Sequence, residues 1–583
     1  MPGDARIGFN AQSRLRAVKW SLLATLCGFF VLQLWRPFYF LNDDNMSGWY
    51  PSVLDMSRRL WSGQSPLFIP QIHGGYQVLN DPGGLSVLNP FLLVVSPLAL
   101  TPWHIALTDT YVFLHLMLCA YAMAQLLVLV RERFSPDLTD ARVAFLTFSY
   151  TFSIWMIVTA PNWLNFIANQ AALPILFLGL FRQRRRTGIT LVACAVLHSM
   201  LSGHLNSFIL SILFVLLWLG VDSAVRKEDR AENWLRLLSG AAVAGLIVLP
   251  VLIPALRGFL GMSRSAGGAG AATGDTSGGK HAFDALLAMP LPVFLASYFV
   301  GLFASLFGKF GLLALPNGIS SAIVCTPASY WVFHSLRARR KLQSAEIACL
   351  VTAAFIVLCV VRPPWLSTVF SLVPLLRSTR IPFREIFAFL FFIHLFIALR
   401  PVALPRIALL GTNAIGALFY TVSLVLFRPP AFTPMALDRM LLISGQAEPY
   451  WAKVRPMMPR GARMVPVIPN NFQYIQRVEV PWTLMNAFNY PAASGIGSAT
   501  GYVIRGMSGE RLHGVRPLGP IGAFYERDVP QLRKADPKLC FFVLRSRNPV
   551  RIELWTPQGK RMLPVPTLPR VNGKDPWVIV GQK

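Results

Sequence analysis

Up to about residue 428, apolar residues come in runs of about 20, the length a helix needs to cross a bilayer, separated by short polar stretches. Basic clusters punctuate them: "RER" at 131–133, "RQRRR" at 182–186, "RKEDRAENWLR" at 226–236, "RARRK" at 337–341, and the arginines of 400–406. Lys and Arg concentrate on the cytoplasmic side of membrane helices, so these clusters fix the order of the crossings. Spans are expected at 19–40, 104–130, 141–160, 167–181, 188–203, 205–222, 237–256, 318–336, 345–361, 384–399 and 407–427. That makes about eleven helices, with a cytoplasmic N-terminus and an exterior C-terminus.

Three apolar pieces, 86–101, 285–314 and 366–376, would place a basic cluster on the wrong side if each were a single span. They read as re-entrant or interfacial helices on the outer face, with extra true spans among them as the alternative, since short apolar runs are ambiguous. Residues 42–103 then form the first exterior loop of a transmembrane domain covering 1–428. Within the loop, Trp49, Val53, Leu54, Met56, Leu60 and Trp61 recur at helical spacing while Asp55, Arg58 and Arg59 are polar, the pattern of an amphipathic helix at the interface. The stretch "RSAGGAGAATGDTSGGK" at 264–280 has the composition of a flexible lid.

After residue 428 the period changes. "ARMVPVIP", "QRVEVPW", "GYVIRGM", "LCFFVLRS" and "VRIELWTPQGKRMLPV" are short β-type runs between Pro, Gly and Asn, and they predict a mostly β exterior domain over 429–583. Its Trp451, Tyr474, Trp482, Tyr490 and Tyr525 are suited either to stack on sugar faces or to fill a core.

Composition agrees with the hydropathy pattern. In a chain of 583 residues, 54% hydrophobic and 14% charged residues exclude an ordinary soluble multidomain protein. The net charge of +28 raises nucleic acid as a partner, but the basic residues flank apolar runs instead of forming one stripe, which points to lipid headgroups and against nucleic acid. Cys27, Cys119, Cys194, Cys325, Cys349 and Cys359 lie in or beside apolar runs and only Cys540 in the polar part, so neither a disulfide framework nor a zinc spacing is present. The basic N-terminus precedes an apolar run without a small-x-small cleavage site, the pattern of a retained first span.

Candidate chemistry begins at "FYFLNDDNMSGWYP", where Asp43 and Asp44 follow the first span directly. A carboxylate at the membrane boundary is partly desolvated, which raises its pKa and suits a general base or a cation ligand. Two adjacent acids also resist joint ionisation. The alternative is that they cap the interfacial helix. In "LLRSTRIPFREIF", Arg377, Arg380 and Arg384 stand on the exterior side, where arginines oppose the topology unless a phosphate or headgroup compensates them. Arg257 and Arg264 flank the lid and add two further candidates for lipid phosphate. Asp109, beside His104, opens the second span as a helix cap or an intramembrane acid. Asn162, Asn165, Asn169 and Gln170 occupy one exterior turn, His204 and Asn206 another, and His73 and Asp81 the first loop; all are suited to hydrogen-bond a substrate. No nucleotide-binding or hydrolase motif occurs, so this chain offers no site for ATP as an energy source.

The residues Asp43, Asp44, Tyr50, Pro51, Arg58 or Arg59, Gly63, Pro66, Gly74, Gly75, Asn89 and Pro90 resemble the first-loop pattern of bacterial YfhO-like membrane proteins. More broadly the chain resembles the GT-C glycosyltransferases, well in the first loop and loosely through residue 427. The resemblance implies transfer of a sugar from a polyprenyl-phosphate donor to a glycan, lipid or protein acceptor on the periplasmic side of the inner membrane. It implies a catalytic carboxylate at Asp44 or Asp43, arginines on the departing phosphate, inversion at the anomeric carbon and no cofactor. Metal-independent transfer is favoured, because no carboxylate cage is in view, but a divalent ion stays open. A lipid transporter or flippase would instead predict charged residues within spans and internal repeats, and a non-catalytic scaffold would tolerate loss of both acids.

Overall fold

The computed structural model describes residues 11–41, 45, 49–69, 76–78, 82–161, 163–201, 204–226, 230–261, 331–337, 340–372, 385–401, 445–467, 497–498, 529–535, 537–547 and 550–565. It also describes isolated positions between 291 and 295, at 326 and 328, between 411 and 418, and at 526. The protein is polytopic and largely α-helical. Five helices are long and apolar enough to cross a membrane: Ala11–Trp35, His104–Arg133, Ser207–Val225, Ala231–Leu256 and Ser344–Val361. Shorter apolar helices cover Pro90–Leu100, Asn165–Phe181 and Ile386–Leu399. Most of the expected spans 407–427 and 318–336, most of 285–314, and the glycine-rich 264–280 lie outside the described residues.

In chain order the bundle consists of α1 (Ala11–Trp35), the loop helix α2 (Tyr50–Trp61), α3 (Pro90–Val95), α4 (Leu107–Arg133), α5 (Asp140–Thr151), α6 (Ile154–Thr159), α7 (Asn165–Phe181), α8 (Arg185–Met200), α9 (Leu205–Val225) and α10 (Arg230–Gly261). It continues with α11 (Trp331–Arg337), α12 (Ser344–Val361), α13 (Pro364–Leu372) and α14 (Ile386–Leu399). Successive long helices alternate in direction, as short connections require. From Phe166 onward α7 is buried, and α14 is buried along its whole length. Neither shows a polar stripe, as expected of helices surrounded by others.

Two segments differ from the hydropathy reading. The expected span 141–160 is broken, because the Ser153 hydroxyl accepts from the Met156 N–H at 3.3 Å and starts α6 as a new helix. A serine that bonds its own backbone competes with helix continuation. The apolar piece 86–101 is interrupted at Asn89, between a 3-10 turn at Pro82–Leu88 and the helix Pro90–Leu100, in which α3 passes into a 3-10 turn at Ser96–Leu100; proline stands at the start of each. Proline lacks the N–H that a continuing helix would need.

Close packing relies on small residues. A Cβ on Gly240 of α10 would stand 2.6 Å from Val192 Cγ1 of α8, and one on Gly179 of α7 would stand 2.8 Å from the Gly188 carbonyl oxygen. At the basic end of the bundle, arginines tie the helix termini together. Arg236 donates to the Glu232 carboxylate at 3.0 Å and to the Leu180 carbonyl at 2.8 Å. Glu346, fully buried, accepts from Arg340 at 2.6 Å and from Arg400 at 2.9 Å. Arg131 pairs with Asp140 at 2.5 Å, and Ser13 of α1 donates to the same carboxylate at 2.8 Å.

The C-terminal part contains an open mixed sheet. In spatial order its strands are β4 (Gly497–Ser498), β3 (Arg463–Val467), β5 (Cys540–Arg547), β6 (Val550–Thr556) and β7 (Gly559–Leu563). A two-strand pairing in the first loop, β1 (Phe68–Ile69) with β2 (Tyr76–Gln77), precedes them in the chain. Strand β3 runs parallel to β4 and β5, while β5, β6 and β7 form antiparallel hairpins. Helices Ala447–Val454 and Val529–Ala535 accompany the sheet. Gly559, at φ +138°, closes the β6–β7 turn in a conformation that side chains avoid. Trp451 is buried against Phe542 with ring centroids 5.4 Å apart, so it belongs to the core. Tyr474, Trp482, Tyr490 and Tyr525 lie outside the described residues.

Candidate functional site

Asn45, the residue after the acidic pair, is 2% exposed and makes four hydrogen bonds. Its Nδ2 donates to the carbonyls of Phe40, Ala160 and Pro161 at 2.9, 2.6 and 2.8 Å, and its Oδ1 accepts from the Leu164 N–H at 3.0 Å. A carboxamide supplies both donors and acceptor, and this one uses them to fasten the start of the first loop to the α6–α7 turn. Tyr39 reinforces the junction by donating to the Ile157 carbonyl at 3.0 Å.

From the α6–α7 turn the contacts continue across the loop end of the bundle. The Phe166 ring lies 4.2 Å from the His204 ring, centroid to centroid. His204 caps α9, its Nδ1 accepting from the Ser207 N–H at 3.2 Å. The Ser207 hydroxyl in turn donates to Glu385 Oε1 at 2.7 Å. Glu385 is a 2% exposed carboxylate at the start of α14, and Arg384 precedes it directly. Residues covalently next to Asp44 and to Arg384 are thus joined through one continuous series of contacts, although far apart in sequence.

Asp43, Asp44, His73, Asp81, Arg264, Arg377, Arg380 and Arg384 themselves lie outside the described residues, and Arg257 is described only as a backbone position in the last turns of α10. Trp49, in helical geometry, is the residue that precedes α2. Asp109 is buried and ties α4 to the end of α1, its Oδ1 accepting from Gln33 Nε2 at 2.5 Å and from the Phe40 N–H at 3.2 Å. Asn165 is the first residue of α7, and its Oδ1 is buried without a hydrogen-bond partner among the described residues. Asn169 accepts from the Ser199 hydroxyl. Gln170 is clasped with Tyr150: its Nε2 donates to the Tyr150 carbonyl at 2.9 Å, and the Tyr150 hydroxyl donates to the Gln170 carbonyl at 2.9 Å. Gln170 therefore serves the interior of the bundle, while His204 belongs to the junction.

The first-loop residues that carry the family resemblance hold local structure. Tyr50 Oη meets His104 Nδ1 at 2.6 Å, and Arg58 donates to the Ala99 carbonyl at 3.2 Å, so α2 sits on the 3-10 turn below it. Asp55 accepts from Arg59 at 2.7 Å; burial raises its pKa above the ordinary value, partly offset by that bond and by the charges of Arg59 and Arg58. Gly63, at φ +71°, ends α2 with the Gly63 N–H on the Leu60 carbonyl and the Gln64 N–H on the Arg59 carbonyl, a Schellman closure. Asn89 caps α3 through Oδ1, with Pro90 at the first helical position.

Asn45, Ser207 and Glu385 are the functional candidates that the sequence reading passed over. The signal for Glu385 was an acid at the start of an apolar span. Asn45 and Ser207 gave no comparable signal, since their importance is set by partners remote in sequence. No group of three or more His, Cys, Asp or Glu side chains among the described residues is arranged to hold a metal ion.

Fold and site together define a polytopic helical protein with membrane-length helices, a C-terminal mixed sheet, and a polar junction at the end opposite its basic clusters. No protein-family model matches the chain, nor does any curated protein or solved structure.

Proposed function

We propose that the protein is a bacterial inner-membrane glycosyltransferase that uses a polyprenyl-phosphate sugar as donor and acts at the loop end, on the periplasmic side. The observation that carries this reading is the contact series from Asn45 to Glu385, whose two ends adjoin the acidic pair and the arginine segment. Sugar transfer from a lipid phosphate needs a base near the acceptor and cations near the leaving group. Asp44 or Asp43 takes the proton of the acceptor hydroxyl, whose oxygen forms a bond to the anomeric carbon. The bond from that carbon to the phosphate oxygen breaks, and the electron pair leaves on the lipid phosphate beside Arg377, Arg380 or Arg384. Inversion follows from a single displacement of this kind.

The basic end faces the cytoplasm in this reading, in keeping with the charge rule for membrane loops. Arg257 and Arg264 are further phosphate ligands, His73, Asp81, Asn165 and His204 are substrate contacts, and Asp109 and Gln170 support the helices that carry them. The test is sugar transfer by purified protein in lipid across a panel of polyprenyl-phosphate sugars, comparing wild type with Asp43→Asn and Asp44→Asn. Transfer should vanish in one variant while donor binding persists. Undiminished transfer in both would remove the acids from the mechanism.

A further inference from the structure

Two histidines in apolar surroundings, His115 on α4 and His198 on α8, take no part in the junction just described. Their rings lie 5.0 Å apart, centroid to centroid, and extend a series in which Trp49 meets Tyr111 at 5.0 Å and Tyr111 meets His115 at 4.3 Å. Phe91 stands edge-on to both imidazoles, at 4.8 and 5.8 Å.

Along this series Trp49 Nε1, Tyr111 Oη, His115 Nε2 and His198 Nε2 are all buried, and none has a hydrogen-bond partner among the described residues. Asn89 Nδ2 shares that condition, while Asn89 Oδ1 caps α3 by accepting from the Phe91 N–H at 3.0 Å. Asn89, Tyr111 and His115 are fully buried residues. Native interiors satisfy nearly all such atoms, so four along one series of touching rings, with a fifth two residues from Phe91, point to a ligand.

His394 provides an internal comparison. Its Nδ1 lies 2.7 Å from the Leu390 carbonyl, and its Nε2 meets the Ser149 hydroxyl at 3.0 Å. His115 has the same first contact, Nδ1 to the Tyr111 carbonyl at 2.9 Å, and no hydroxyl partner for its Nε2 among the described residues. Because a carbonyl can only accept, His115 Nδ1 carries the hydrogen, and Nε2 of the neutral ring offers a lone pair.

We propose that Trp49, Asn89, Tyr111, His115 and His198 enclose an uncharged site for a hydroxyl group, supplied by water or by a sugar or polyol. The indole and carboxamide are donors, His115 Nε2 is an acceptor, and the phenol is both. A hydroxyl, which also donates and accepts, complements that set. An anion would face the His115 lone pair without a cation, and a divalent ion would find no carboxylate or thiolate among these groups. Trp49 is the N-cap of the loop helix α2, so a bridging hydroxyl would brace the first exterior loop against α4 and α8. This inference stands independently of the transferase reading.

The experiment uses the full chain in lipid nanodiscs with 15N-labelled histidine, the two rings being assigned through His115→Gln and His198→Gln. Magnetisation exchange between Nε2 and water is expected if water is the source. Saturable shifts on titrating methyl glucoside, with loss of the water signal, are expected if a sugar or polyol is. Absence of both responses in the wild-type protein overturns the proposal. A His115→Phe/His198→Phe double variant adds a reading by sign: its melting temperature falls if a hydroxyl is held there, and rises if the two nitrogens are bare.

Discussion

Glu346 and Glu385 are both buried carboxylates at the ends of apolar helices, yet their surroundings differ. At the basic end, Glu346 has one oxygen on Arg340 and the other on Arg400, and Arg400 also donates to the Ser335 carbonyl at 2.8 Å. Charge there is neutralised by charge, and the group holds α12 and α14 together. At the loop end, Glu385 Oε1 is held by the neutral hydroxyl of Ser207, and the neighbouring contacts come from a carboxamide, an imidazole and backbone carbonyls. Buried ions that are paired on both oxygens serve architecture, whereas the described contacts at the loop end join segments that lead into the acidic pair and the arginine segment.

The largest test of this comparison is at the basic end. Arg400→Ala should leave Glu346 buried with half its compensation and cost about 3–5 kcal/mol, the range for breaking a buried pair. It would be read as a lowered unfolding midpoint in lipid or mild detergent. A loss below about 1 kcal/mol, the level of a surface pair, would mean the basic end is no more structural than the loop end.

Asn45→Ala should cost about 1–3 kcal/mol, because it strands three carbonyls and one N–H at the junction. Sugar transfer should fall by more than the loss of folded protein explains, since this residue adjoins the acidic pair. If transfer per folded molecule is unchanged, the junction is structural only.

Ser207→Ala should have a smaller effect on stability, about 1 kcal/mol, and a visible one on turnover. Releasing Glu385 should lower kcat with little change in donor affinity if Glu385 positions the arginine segment. An equal change in an Arg236→Lys variant at the far end would erase the contrast.

The smallest effect concerns Asp55 and pH. Burial raises its pKa, so just above the ordinary carboxylate range the folded state keeps a proton that the unfolded state has lost. Its contribution to stability therefore declines as pH rises through that window. Asp55→Asn should remove this part of the slope, seen as a difference between the two melting-temperature profiles. Parallel profiles would show that Arg59 neutralises the carboxylate fully.

Much of the architecture was legible because it depends on local periodicity. The limits of α2, the crossings beginning near residues 104, 205 and 345, and the β character of 550–563 all follow from apolar spacing and turn residues. The break at Ser153 was not, since a single cap outweighed a hydropathy run. His115 and His198 were available as polar residues inside apolar runs, but nothing in their spacing announced that they would meet.

The sequence by itself determined which segments are apolar enough to cross a membrane, which ends carry the basic charge, and where an acidic pair and an arginine segment stand along the chain. Only the tertiary structure decided that Asn45 reaches the α6–α7 turn, that Ser207 reaches Glu385, and that two histidines from different helices lie side by side. Helical periodicity is a property of neighbours within about four residues, whereas these meetings depend on how each helix is rotated and crossed against the next.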